Sequence, residues 1–192
     1  MRRHFFAYMS RMKHIKRWGL MRNTETENIK EHSFDVAVIA HALALIKNKL
    51  FGGETDPLHV MALALFHEAG EVITGDIATP IKYFNPEVNE AFKNIEHIAA
   101  KKIVNMAPVE LREDYAALIL HEGDESYKIV KEADKLCAYI KCLEEGKTGN
   151  TEFAKARVKI EGDLQAMDAP EVAYFMEHCI QAYELTLDEL NS

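Results

Sequence analysis

Residues 56–80 read DPLHVMALALFHEAGEVITGDIATP. Asp56-Pro57 has the form of an N-cap followed by proline at the first helical position, where the missing N–H leaves no donor unsatisfied. The helix it opens carries Val60, Leu63, Ala64 and Phe66 and is apolar all round, which makes it a central helix. It runs into His67, Glu68, Gly70 and Glu71, and the Gly, Asp, Thr and Pro content of residues 74–80 marks a loop. Outward from this stretch the periodicity stays helical and no alternating run is long enough for a sheet, so the chain is expected to be all-α. An N-terminal helix presents Phe5, Phe6, Met9, Met12 and Ile15, with Gly19 as its stop. The next begins near Glu31 and ends about Leu50, before Gly52-Gly53, with Phe34, Val38, Ala42, Leu45 and Ile46 expected inward. Further helices are predicted over 88–105, 110–120, 127–144, 153–166 and 171–183, with breaks at Pro108, Gly123, 146–150 and 168–170. With no repeat, linker or low-complexity tail, one helical domain is expected to span residues 1–192.

With 48% hydrophobic and 28% charged residues, the 192-residue chain has the composition of a soluble globular protein, not of a collagen-like or disordered one. Its apolar stretches are interrupted well short of the roughly 18 residues a membrane span needs. A net charge of −8 argues against nucleic acid polymers and anionic membranes as partners, because phosphate-dominated binding needs a cationic field. Arg2, Arg3, Arg11, Lys13, Lys16, Arg17 and Arg22 nevertheless precede the first acidic residue. This basic element reads as a site for one small anion or, more blandly, as a solvated helix face. It lacks the composition of a presequence and is taken as part of the domain. Cys137, Cys142 and Cys179 are odd in number, and the first two point about 140° apart on a helix, so no structural disulfide is expected and the compartment is expected to be the reducing cytoplasm.

The strongest chemical signal is His67-Glu68 with Glu71 and, five residues on, Asp76. Ionisable groups at the end of the most apolar helix carry a desolvation penalty unless paired or bound to a cation. At helical spacing His67 and Glu71 lie about 40° apart, with Glu68 beside them. The alternative is a hydrogen-bonded core histidine with solvated glutamates. A zincin motif would need histidine where Glu71 stands, which disfavours a metallopeptidase. His121-Glu122 falls in an acid-rich, helix-ending loop and reads as solvated, and His41 lies on the far side of its helix from His32. His32, at a helix start, is more often a cap or surface residue. Asp134 is more suggestive, since it sits on the inward side of a helix packed through Ile129, Ala133, Leu136 and Ile140. Two imidazoles and two carboxylates make a mixed set suited to Mn, Co, Fe, Ni or Zn and less to Ca or Mg. The spacings are too loose to establish the set.

These residues carry a resemblance. H…HD…D is the signature of HD-domain phosphohydrolases, and the chain resembles their bacterial 5′-deoxynucleotidase branch, the YfbR type. The similarity runs through HFFAYMSRMKHIKRWGLMRN (4–23), TENIKEHSFDVAVIAHALA (26–44), FGG (51–53), FHEAGEVITGDIATPIKYFN (66–85), KEADKLCAYIKCLEE (131–145) and LTLDEL (185–190). Those segments are far more specific than the HD doublet. The resemblance implies a single HD-domain helical bundle, usually a homodimer, that hydrolyses deoxyribonucleoside 5′-monophosphates with a divalent metal such as Co or Mn. By position it implies metal ligands His32, His67, Glu68 and Asp134, with Arg17 and Trp18 orienting the phosphate and closing on the deoxyribose. It implies Glu71 and Asp76 as acid/base groups and Asp76, Ile77, Ala78 and Thr79 as lining the substrate site, where His32, Glu68 and Asp134 also face substrate. Two positions depart from the pattern: Glu68 stands where the family has Asp, and Ala78 where Pro is common. A noncatalytic nucleotide or metal sensor with a degenerate site, and a hydrolase of deoxynucleoside triphosphates, are the competing readings.

Overall fold

The computed structural model describes residues 4–82 and 84–191. Among these every regular element is a helix, and the only extended pairing is an isolated bridge between Lys16 and Asn28, as the all-α expectation requires. Arg2 and Arg3 lie outside the described residues.

Helix α1 (Phe5–Met9) continues as a 3-10 turn over Ser10–His14, and the chain becomes extended at Ile15. It stops short of Gly19 because the following residues pair with the start of the next helix. The Arg17 N–H donates to the Glu27 carbonyl and the Ile29 N–H to the Ile15 carbonyl, each at 3.0 Å. Helix α2 (Ile29–Phe51) is capped by Asn28, whose side chain accepts from the Lys30 and Glu31 N–H groups, and it ends at Gly52 in the left-handed region, φ 71°. Asp56 caps α3 (Pro57–Phe66) in the same way through the Leu58 and His59 N–H groups.

The loop expected over 74–80 is shorter than the sequence suggests, because α4 (Glu71–Thr74) and α5 (Thr79–Lys82) leave only residues 75–78 irregular. Then follow α6 (Pro86–Asn105), α7 (Arg112–Leu120), α8 (Tyr127–Lys147), α9 (Ala154–Gln165), α10 (Pro170–His178) and α11 (Leu187–Leu190). The helix expected to reach residue 183 ends at His178 and gives way to a 3-10 turn, Ile180–Glu184.

Helix α3 is central, as its composition requires. Val60, Leu63 and Ala64 are fully buried among Leu43 and Ala44 of α2 and Val130, Ala133 and Leu136 of α8. A second cluster gathers Phe5, Ala69, Ile103, Val104 and Ile119, with Phe66 bridging to it. The inward face expected for α2 holds only in part: Ile46 packs on the core and Ala42 and Leu45 are half-buried. Phe34 and Val38 are 62% and 53% exposed, whereas Val36, Ala37, Ile39, Ala40, Leu43 and Ala44 are buried. Neighbours on two sides, α3 and α8, cover a wide arc of small and branched residues, and side-chain size alone does not reveal which arc is covered. Among the described residues no helix is long and apolar enough to cross a membrane.

Candidate metal centre and its surroundings

Four side chains from three helical segments converge. His32 lies in the first turn of α2, oriented by the Asn28 cap; His67 and Glu68 follow the last turn of α3; Asp134 is two turns into α8. Each offers one ligand atom, and the four atoms lie within 4.8 Å of one another. His32 is fully buried, not a surface cap, and its Nε2 lies 3.0 Å from Asp134 Oδ1. His67 donates from Nδ1 to the Ala64 carbonyl at 2.7 Å, which leaves the Nε2 lone pair turned toward the cluster. That buried Nε2 has no hydrogen-bond partner, and Glu68 Oε1 is 3.2 Å away. An unpartnered, correctly tautomerised imidazole beside two carboxylates and a second imidazole fits a divalent transition metal. Glu68, although longer than aspartate, keeps its oxygen within the set.

The electrostatics suit a cation. Burial pushes His32 down toward its neutral, ligating form, against the pull of Asp134. Burial raises Asp134, but its hydrogen bond and charge interaction with His32, and then His67, hold it below the usual carboxylate range. Burial likewise raises Glu68, yet His67, Glu71 and Arg17 bring it well below its ordinary value. Glu71 behaves oppositely: burial, and then the charges of Glu68 and Asp76, push it up to about 10. Asp76 is raised by burial and opposed by Arg17 and the Trp18 N–H.

Among the described residues of the basic N-terminal element, Arg17 and its neighbour Trp18 reach this centre, whereas Arg22 is exposed and pairs with Glu152 at 3.7 Å, so among them the expected anion site narrows to one guanidinium. Arg17 Nη1 is 3.6 Å from Glu68 Oε1. Ile77 and Ala78 sit half-buried between α4 and α5, directly after Asp76, and the Thr79 side chain lies outside the described part of the structure. His121, read as solvated, instead stacks on Tyr127 with ring centroids 3.4 Å apart. Asp124 in the same loop is taken by His59 at 2.6 Å.

Three features escaped the sequence reading. Glu27 accepts from both Arg17 Nε and Trp18 Nε1, at 3.0 and 2.9 Å. Lys131, one turn before Asp134, has its pKa raised by the charges of Tyr127, Asp134 and Glu68, against the cost of desolvation. Its i, i+3 spacing from Asp134 is the one signal that pointed to it. Finally, the segment carrying Arg17, Trp18 and Glu27 is anchored on the end of α8. Buried Glu145 accepts from the Thr24 N–H (2.9 Å), Asn150 Nδ2 (2.7 Å) and Lys141 Nζ (2.5 Å), and Lys141 also donates to the Glu25 carbonyl at 2.7 Å. Glu145→Ala leaves the Lys141 ammonium buried without its carboxylate and should destabilise the protein by about 3–5 kcal/mol. Thermal melting checks this; an unshifted melting temperature would show that the segment does not depend on this anchor.

Helices thus bring two imidazoles and two carboxylates to one point, with an arginine beside them. The fold is shared with the HD-domain phosphohydrolase of Listeria innocua, at a TM-score of 0.81 and 22% identity, over 94% of this chain and 88% of that one. It is shared also with the cyanophage S-2L HD phosphohydrolase DatZ, solved with dA and one catalytic Zn2+, at a TM-score of 0.61 and 21% identity, over 92% of this chain and 96% of that one. The chain belongs to the YfbR-like 5′-deoxynucleotidase family, whose sequence profile matches residues 4–183. It is 51% identical to a 5′-deoxynucleotidase of Photobacterium profundum over 190 residues, 98% of both chains. It is 50% identical to the 5′-deoxynucleotidase YfbR of Escherichia coli over 190 residues, 98% of this chain and 96% of that one.

Proposed function

We propose that this chain is a divalent-metal-dependent enzyme that removes the 5′-phosphate from deoxyribonucleoside 5′-monophosphates. The carrying observation is the four-ligand cluster with Arg17 on one side and the carboxyls of Glu71 and Asp76 within its electrostatic reach. His32, His67, Glu68 and Asp134 would hold the ion, Mn, Co or a similar metal, which when bound polarises phosphate oxygen and lowers the pKa of water. Arg17 takes the equatorial phosphate charge through the guanidinium edge that faces Glu68, since its Nε is already engaged by Glu27. Glu71 and Asp76 move the protons: one accepts from the attacking water and the other delivers to the departing 5′-oxygen. The water oxygen bonds to phosphorus as the phosphorus–O5′ bond breaks, releasing a deoxyribonucleoside and inorganic phosphate. Trp18, its ring edge-on to Phe153 at 5.3 Å, closes on the sugar and excludes a 2′-hydroxyl. Residues 76–79, with His32, Glu68 and Asp134, complete the substrate contacts.

One domain spans the chain in this reading, acting as a homodimer in the cytoplasm, where free Cys137, Cys142 and Cys179 stay reduced. The outward Phe34 and Val38 of α2 supply apolar surface of the kind two copies bury.

The test is phosphate release from a panel of mono- and triphosphates, ribo and deoxy, after chelation and readdition of single metals. Release from deoxynucleoside monophosphates should vanish in chelator and return better with Mn or Co than with Mg. Full activity in chelator with no bound metal overturns the reading, and preferred hydrolysis of triphosphates redirects it. Absence of hydrolysis on every nucleotide, with tight metal-dependent binding of one, establishes a sensor instead.

A further inference from the structure

We propose that Glu27 is a positioning residue that makes sugar selection and phosphate binding a single event in this site. This rests on the deoxynucleoside monophosphate reading and goes beyond it to a residue outside the ligand and acid/base sets. One oxygen of Glu27, Oε2, accepts from Arg17 Nε at 3.0 Å and from the indole Nε1 of Trp18 at 2.9 Å. Its other oxygen lies 3.8 Å from His32 Nδ1, and the opposite nitrogen of that ring is the one beside Asp134 at 3.0 Å. A single carboxylate oxygen thus ties together the group that meets phosphate and the group that meets the sugar, beside a metal ligand.

The backbone reinforces the arrangement. The Glu27 carbonyl accepts the Arg17 N–H at 3.0 Å, so main chain and side chain grip the same residue at two points. Trp18 has φ 58°, a left-handed conformation that a bulky residue keeps only where its surroundings hold it. The Glu27 contact, with the edge of Phe153, supplies that hold on the indole. The Glu27 side chain is only 16% exposed, so its bonds to a guanidinium and an indole N–H are charge-assisted and poorly replaced by water. Without the carboxylate, Arg17 is free to swing toward Glu68 and Trp18 to leave its rotamer. Phosphate orientation and discrimination against a 2′-hydroxyl should then be lost together.

Trp18 is the single tryptophan of the chain, so its emission reports on this contact in the absence of substrate and metal. Glu27→Leu, Glu27→Gln and Trp18→Ala are compared with the parent by emission spectrum and by kcat/KM for dAMP and AMP. The deoxy-to-ribo ratio of kcat/KM is independent of the folded fraction, so a merely structural role does not move it. Glu27→Leu should red-shift the emission, raise KM for dAMP, and lower the ratio by about tenfold or more, toward the value for Trp18→Ala. Glu27→Gln keeps an acceptor for the indole but not the charge facing Arg17, and its ratio should fall between the parent and Glu27→Leu.

A parent-like ratio and emission in Glu27→Leu, beside a collapsed ratio in Trp18→Ala, refutes the role of Glu27 alone. An unchanged ratio in Trp18→Ala refutes Trp18 as the sugar gate, and the sugar half of the Glu27 role with it. If Glu27→Leu fails to fold, Glu27→Gln decides, and a parent-like ratio and emission there overturn the proposal.

Discussion

Glu68→Ala should lose both the bound metal and hydrolysis. The substitution removes one of four ligand atoms that lie within 4.8 Å of each other. It also removes the carboxylate that Arg17 faces at 3.6 Å and that takes the hydrogen bond of Glu71. Loss of a ligating carboxylate exceeds the roughly 10–100-fold effects seen when only a residue behind a ligand is changed, so metal affinity should fall by at least about 100-fold and turnover with it. Glu68→Asp is the informative companion. Aspartate is shorter by one methylene but keeps the charge, so metal should remain bound while the ion supporting the fastest turnover changes, with rates within about tenfold of the parent. Metal stoichiometry after dialysis, together with initial rates of phosphate release, decides both. If Glu68→Ala retains metal and activity, Glu68 is not a ligand, and Glu71 becomes the carboxylate around which the set is rebuilt.

Arg17→Ala should lower kcat/KM for deoxynucleoside monophosphates by about 100- to 1000-fold while metal content stays near that of the parent. The guanidinium is a cation set among Asp134, Glu27, Glu68 and Asp76, and against the cost of burial these carboxylates raise its pKa and keep it charged. Its removal deprives the transferred phosphoryl group of its positive partner and leaves Glu27 and Glu68 facing each other's field without compensation. A lowered melting temperature is therefore expected beside the kinetic loss. Arg17→Lys keeps a charge but no fork. It cannot hold Glu27 while presenting a second edge toward the cluster, so it should recover stability more fully than turnover. Steady-state kinetics on dAMP, metal analysis and thermal melting separate these effects. Loss of metal in parallel with activity would mean that Arg17 acts by holding the ligand Glu68 in place and not against the phosphate.

How much of this was legible in the amino-acid order depends on the range over which each feature is specified. Local rules were enough for the all-α class, for the Asp56-Pro57 start of α3 and for Gly52 as the end of α2, because caps and turns involve groups a few residues apart. Desolvation reasoning on one apolar helix was enough to single out His67, Glu68 and Glu71, and periodicity placed Asp134 on an inward face. The family's motifs then supplied Arg17, Trp18 and His32, which their spacing does not connect to the rest. What no local rule supplied was the side of α2 that is covered. Its burial is set by α3 and by α8, which is about a hundred residues away along the chain, and so Phe34 and Val38 face solvent while His32 is sealed against Asp134, 102 residues on. The same holds for Glu27 and Glu145. Each reads in the sequence as one more carboxylate in an acidic chain, and each acquires its role from partners brought to it by helix packing: the Arg17 and Trp18 donors for one, the Thr24 N–H and the Lys141 ammonium for the other. Local order specifies elements and their chemistry, whereas the packing of those elements decides which carboxylates are buried, and a buried carboxylate must find a donor or a cation.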